Sequence, residues 1–218
     1  MLAESAASLS LRARALYGDI DSNHARLQIW RPYICPFEEI AALVPRGGSI
    51  LDVGCGAGLF LGLLADLGII RAGHGFDSSK PAIDVARQMS KSVRSDVTLT
   101  IEHRDATAAW PEGEFDVVSI IDVMHHVPPQ HHESVLDLAL SRTRVGGLIL
   151  YKDMARRPLW RAWCNQLHDL VLARQWIHHV PVESVDAWAA KSGMTIAAQG
   201  SANRLWYAHE WRLYQRTR

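Results

Sequence analysis

Cysteine is scarce in this sequence. Cys35, Cys55 and Cys164 are odd in number and far apart. That excludes a disulfide framework and any Cys-based zinc spacing, and it points to a reducing compartment, the cytoplasm. Charge of one sign is also lacking. Lys and Arg total 23, Asp and Glu total 23, and the formal net charge is zero, which argues against a general polyanion-binding role. No apolar run approaches the roughly 18 residues that span a bilayer, so no membrane partner is expected. The first 18 residues, MLAESAASLSLRARALYG, have no apolar h-region, and we expect no secretory signal. Internal repeats and low-complexity segments are missing as well. What remains is 218 residues, 48 % hydrophobic and 21 % charged, enough for one large globular domain with an ordinary core.

The rest of the chain is organised around Ser49–Phe60, SILDVGCGAGLF. A short apolar run passes through Asp52 and breaks into Gly54, Gly56 and Gly58, and an apolar segment follows. This is a buried strand, a tight loop and the first turn of a helix. Alternating glycines let the backbone turn sharply and approach a ligand closely. The helix behind the loop directs its free N–H groups at that ligand.

About 45 residues of helix and loop precede this strand. The pattern predicts one helix ending at Gly18, a second from a cap at Asp21 or Ser22 through Trp30, and a third over Phe37–Leu43. Trp30, Arg31 and Tyr33 suit either packing or a lid over a ligand. Strands then alternate with helices. Ile50–Val53, a strand ending at Asp77, Val97–Ile101, Phe115–Ile121 and Leu148–Tyr151 read as strands one to five, with Gly146 and Gly147 turning the chain into the fifth. Ser78 and Ser79 are cap candidates for a helix reaching Ser90, and Pro128 and Pro129 open another reaching Ser141. Repeated βα units imply a parallel sheet covered by helices on both faces.

Six of the eight tryptophans follow Asp153. Residues 158–175 and Val182–Lys191 look helical, and Met194–Ala198 with Arg204–Tyr214 read as an antiparallel hairpin on the sheet edge. From 156 to 218 there are nine Lys/Arg against four Asp/Glu, too modest an excess to suggest nucleic acid. Large aromatics here are expected in a core or a pocket wall.

Three carboxylates close predicted strands: Asp52, Asp77 lying 25 positions later, and Asp105. Ligands of open α/β sheets bind at the carboxyl ends of strands, and an acid after the second strand suits two ribose hydroxyls. Nicotinamide loops run G-x-G-x-x-G, whereas the corresponding third position here is Leu59. The dinucleotide oxidoreductase reading is weaker for that reason.

With these pieces in place, the sequence resembles the class I S-adenosylmethionine-dependent methyltransferases of small molecules. The matching segments are LDVGCGAG (51–58), GFDSS (75–79), RDA (104–106), FDVVSIIDVMHHV (115–127) and RVGGLILYKD (144–153), in the family's order across about 45–155. The resemblance implies a Rossmann-like three-layer α/β sandwich. Its seven-stranded sheet would be mostly parallel with an antiparallel last strand, under a helical N-terminal cap. It implies a cap over 1–45 and a methyltransferase domain over 46–218, with an insertion at about 154–181 covering the acceptor site. It places Gly54, Cys55, Gly56 and Gly58 around the methionine part of the cofactor and Asp52 near its amino group. Asp77 and Ser78 would hold the ribose, Asp105 and Ala106 would flank the adenine, and Asp122, Val123 and His125 would line the floor near the sulfonium.

Methyl transfer is an in-line displacement at a carbon that is already activated, so alignment and proton removal are the protein's main tasks. The expected base is His126 or its neighbour His125, with Asp153 as orienter or second base. Two prolines interrupt the run HHVPPQHH, and no metal is expected. Asn165, His168, Asp169, His178, His179 and His209 are further candidates to line the acceptor site. The expected reaction is O-methylation of a small organic acceptor by a monomer or homodimer. The alternatives are C- or N-methylation, a protein or RNA acceptor, an oxidoreductase, and a non-catalytic cofactor-binding relative.

Overall fold

The computed structural model describes residues 4–155 and 180–218. The residues expected to form a helix over 158–175, and Asn165, His168, Asp169, His178 and His179, lie outside the described residues. So does nearly all of the insertion. The chain divides into two compact units, residues 1–108 and 109–218.

The first unit opens with α1 (Ala6–Tyr17), capped by the Ser5 hydroxyl, which accepts from Ser8 N at 3.1 Å. Leu9, Ala13, Leu16 and Tyr17 form its buried face. The second helix, α2 (Asn23–Ile34), starts at Ser22 and runs four residues past the expected end. Pro32 removes one ladder bond, yet Cys35 N still closes the last turn onto Arg31 O at 2.9 Å. A five-residue α3 (Phe37–Ala41) follows. Then β1 (Gly48–Val53), α4 (Leu59–Asp66), β2 (Ile70–Asp77), α5 (Lys80–Met89) and β3 (Thr98–His103) alternate. The strands pair in parallel, with Asp52 beside Gly75 and Asp77 beside His103. Every residue of α4 except Asp66 is buried, as its unbroken apolar sequence requires.

The second unit holds β4 (Phe115–Ile121), α6 (His132–Arg142), β5 (Thr143–Met154), α7 (Val182–Lys191), β6 (Met194–Arg204) and β7 (Tyr207–Arg216). Two expectations need correction. The prolines at 128 and 129 do not open an α-helix; they shape a 3-10 turn at Pro129–His131, and α6 begins at His132. Gly146 and Gly147 do not precede β5 but lie within it. They form an irregularity in the pairing with β4, and a Cβ on Gly147 would stand 3.0 Å from Asp116 O. The final hairpin is longer than expected and turns through Leu205 and Trp206 alone. The sheet has seven strands in the order β3-β2-β1-β4-β5-β7-β6, and β7 runs antiparallel to both its neighbours. This is the expected mostly parallel α/β architecture. The antiparallel strand is last in the chain, whereas β6 takes the edge.

Asp186 on α7 binds Arg212 and Tyr214 of β7, and Trp188 Nε1 donates to Asp137 on α6 at 2.8 Å. These contacts tie α7 to β7 and to α6.

Candidate functional site

In the first unit the site is built on the loop between β1 and α4. Gly54, Gly56 and Gly58 all adopt positive φ, at 65°, 54° and 82°. Gly58 caps α4, and a Cβ there would meet Met89 Cε at 2.8 Å and Ala86 Cβ at 3.2 Å. A Cβ on Gly56 would meet nothing within 4 Å. Gly58 is therefore set by packing, whereas Gly56 faces open space. The loop is tied at three points. Cys55 N donates to Phe76 O at 3.0 Å, Gly56 N donates to Asp77 Oδ2 at 2.8 Å, and Tyr17 Oη donates to Ala57 O at 2.7 Å.

Asp77 thus holds the loop with one oxygen. With the other it accepts from Ser79 N at 2.7 Å, beside the start of α5. Ser78 is exposed at this corner, and its carbonyl lies 2.9 Å from His103 Nε2. Asp52 is buried at the end of β1. Asp105 closes an Asx-type turn after β3, where Oδ1 accepts from Thr107 N at 2.8 Å and Thr107 Oγ1 at 2.6 Å. Ala106 lies within that turn. Burial pushes the Cys55 thiol well up, and the charges of Asp52 and Asp77 push it the same way. Cys55 is a neutral packing residue and no nucleophile. Burial likewise keeps the Tyr17 phenol protonated and able to donate. Tyr17 was not singled out from the sequence. It sits on the same face as Leu9, Ala13 and Leu16, which reads as core.

In the second unit the chain leaves β4 through Asp122, a non-glycine residue at φ 56°. Its N–H donates to Lys152 O at 2.9 Å, and its carboxylate accepts from Lys152 Nζ at 2.6 Å. Lys152 is fully buried. A 3-10 turn at Met124–His126 follows, closed by His126 N on Val123 O at 2.9 Å. This turn separates the two histidines. His125 is buried, with Nδ1 at 2.5 Å from Asp153 Oδ1, while His126 is exposed, its ring centroid 4.1 Å from that of His125. An ionised carboxylate only accepts, so Nδ1 carries the proton and Nε2 is the basic nitrogen.

Asp153 Oδ1 also accepts from Met154 N at 2.7 Å, and Oδ2 is buried with no hydrogen-bond partner among the described residues. Asp153 lies opposite Glu210 on β7, and Met154 lies opposite His209. His209 is buried and stacks on Tyr207 with centroids 5.9 Å apart. Burial raises the Glu210 carboxyl; Arg212 opposes that, and the charges of Glu183, Asp153 and Asp186 add to it. Of the run HHVPPQHH, His132 Nε2 lies 2.8 Å from Val127 O and serves the start of α6. Among the described residues no group of three His, Cys, Asp or Glu side chains is placed to hold a metal ion.

Residues 26–199 match the family of methyltransferase domains. The ubiquinone biosynthesis O-methyltransferase of Thiobacillus denitrificans is 33 % identical over 111 residues, covering 50 % of this chain and 46 % of that protein. Its namesake from Albidiferax ferrireducens is 29 % identical over 140 residues, covering 62 % and 49 %. The chain thus spans about half the length of these relatives. Magnesium protoporphyrin IX methyltransferase from Synechocystis PCC 6803, solved with bound SAH, superposes with a TM-score of 0.69 at 20 % identity over 94 % of this chain and 92 % of that one. An N-methyltransferase from Bradyrhizobium japonicum, also in complex with S-adenosyl-L-homocysteine, gives 0.67 at 15 % identity over 95 % and 99 %. At these identities the superpositions speak for the fold.

Proposed function

This chain belongs to the methyltransferase-domain family, and we propose that it transfers a methyl group from S-adenosylmethionine to a hydroxyl oxygen of a small organic acceptor. The residues fit that cofactor. The glycine loop and its surroundings present carboxylates, Asp52, Asp77 and Asp105, and the loop itself carries no cation to neutralise a phosphate. Gly56 opens onto space that a side chain would fill. Gly54, Cys55, Gly56 and Gly58 would hold the methionine part and Asp52 its ammonium. Asp77 and Ser78 would take the ribose, Asp105 and Ala106 the adenine, and Asp122 and Val123 the sulfonium end. When bound, the cofactor supplies an electrophilic methyl on a cationic sulfur.

The observation that carries the oxygen reading is the buried His125–Asp153 pair at 2.5 Å. A hydroxyl must lose a proton as its oxygen forms the new C–O bond. His125 Nε2 receives that proton, and Asp153 holds the ring and stabilises the imidazolium. His126, exposed one residue on, serves as the acceptor-facing neighbour. The relatives named as O-methyltransferases support the same reading. Among the described residues no helix is long and apolar enough to cross a membrane.

The test has two arms. Calorimetric titration should show S-adenosylmethionine and its demethylated product binding in competition; no heat, together with saturable NADH binding, would sink the cofactor assignment. A panel of phenols and catechols should then reveal turnover. His125→Asn should lower kcat about 10²–10⁴-fold with cofactor affinity kept. Full turnover of His125→Asn and His126→Asn at every pH would remove the base.

A further inference from the structure

We propose that Lys152 is a positioning residue for this reaction: through Asp122 it sets the turn that delivers His125 to Asp153. The inference rests on the methyl-transfer reading above.

Neighbouring residues of β5 direct their side chains to opposite faces of the sheet. Lys152 and Asp153 are such neighbours, and each grips one residue of the segment after β4. Lys152 Nζ holds Asp122 at 2.6 Å, and Asp153 holds His125 at 2.5 Å. The backbone of Asp122 is held as well, its N–H on Lys152 O at 2.9 Å. The held residue is one of only two non-glycine residues at positive φ among the described residues. Left-handed backbone is strained for a residue with a Cβ and persists where surrounding contacts over-determine it. Here two hydrogen bonds from one strand position are among those contacts.

A buried ammonium is a costly device, and Lys152 has no exposed area. Its placement makes sense where the turn must hold a fixed direction. Only Val123 and Met124 separate Asp122 from His125, and the 3-10 turn at Met124–His126 leaves little slack. Relaxing Asp122 would move the imidazole off Asp153, and displacement by about 1 Å costs about 10²-fold in a reaction that depends on alignment.

The test uses Lys152→Met, Lys152→Arg, Asp122→Asn and the double variant Lys152→Met/Asp122→Asn. The probes are S-adenosylmethionine for binding and a turned-over catechol for rate. In ¹⁵N-His-labelled wild type, the Nδ1 proton of His125 should appear far downfield, assigned by its loss in His125→Asn. We expect Lys152→Met to unfold cooperatively but to lose that signal and about 10²-fold in kcat at saturating cofactor. Lys152→Arg should recover part of both. The double variant should be no worse than the poorer single one, because the two residues act as one unit. An unchanged downfield proton and unchanged kcat in Lys152→Met would overturn the proposal, as would losses that multiply in the double variant. If wild type binds no S-adenosylmethionine, the function itself is wrong; if wild type turns over and Lys152→Met matches it, only the role of Lys152 falls.

Discussion

The two inner glycines of the loop should fail in different ways when a methyl group is added. Gly56→Ala and Gly58→Ala both force an alanine into left-handed backbone, at φ 54° and 82°. That strain costs about 1–2 kcal/mol in each. At Gly56 nothing more is added, because the new Cβ meets no atom within 4 Å. At Gly58 it meets Met89 Cε at 2.8 Å and Ala86 Cβ at 3.2 Å. Met89 is fully buried, and its sulfur lies against Gly62 one turn along the same helix face, where a Cβ would also stand 2.8 Å away. The thioether therefore has little room to retreat, and overpacking of this kind costs about 1–3 kcal/mol. Gly58→Ala should lose about 2–5 kcal/mol and Gly56→Ala about 1–2 kcal/mol, measured by urea denaturation followed by circular dichroism. Against a typical reserve of about 5–15 kcal/mol, the first is a large fraction. Calorimetry should show the reverse ranking for the cofactor: Gly56→Ala folds but binds at least about tenfold more weakly, since its methyl occupies the space the ligand needs. Equal destabilisation by both variants would refute the packing argument. A Gly56→Ala protein that binds S-adenosylmethionine as wild type does would place the ligand elsewhere.

Other outcomes follow from single contacts. Tyr17→Phe leaves the buried carbonyl of Ala57 without its donor and should cost about 1–2 kcal/mol in the same denaturation assay. Glu210→Gln should stabilise the protein near pH 7 and do nothing near pH 4. Burial raises the folded carboxyl above its unfolded value, so the folded chain retains a proton the unfolded chain has released; stability linked to this group is complete below about pH 4 and is lost as pH rises through the folded value. The group is only half-buried, and we expect about 1–2 °C in Tm. Gly200→Ala places a Cβ against the indole of Trp211 and should cost about 1–3 kcal/mol with loss of near-ultraviolet signal from that ring.

The strands were legible where periodicity and burial agree. Phe115–Ile121 is a continuous apolar run, and β4 occupies those same residues. Gly–Gly at 146–147 misled because the same dipeptide serves a turn or a bulge, and only pairing with β4 separates the two. Pro128–Pro129 misled because a proline pair fits the first turn of a 3-10 helix as well as that of an α-helix. Within the candidate site, the tight loop at Gly54, Gly56 and Gly58 and the strand-end positions of Asp52 and Asp77 were readable from spacing. The division of labour between His125 and His126 was not: both follow β4, and a turn of three residues decides which one is buried. The clasp between Lys152 and Asp122 was beyond reach, since a lysine inside a strand reads as solvent-exposed and positive φ at an aspartate leaves no sequence period.

Asp77 shows how far the site is organised before any ligand arrives. An acid after the second strand suggests a residue reserved for ribose hydroxyls, yet both of its oxygens already accept from backbone amides, Gly56 N at 2.8 Å and Ser79 N at 2.7 Å. A carboxylate has about four lone-pair sites, so holding two amides leaves two acceptor positions for a ligand. Its geometry is thereby fixed by the loop it is meant to serve, and the loop by it. Asp77→Asn tests this mutual support, because a carboxamide offers one acceptor and turns an NH₂ toward the other amide. The variant should lose about 1.5–3 kcal/mol of stability with no cofactor present, as expected for hydrogen bonds to a charged group. It should also bind S-adenosylmethionine more weakly. Weaker binding with unchanged stability would show that Asp77 serves the ligand alone and that the loop keeps its shape without it.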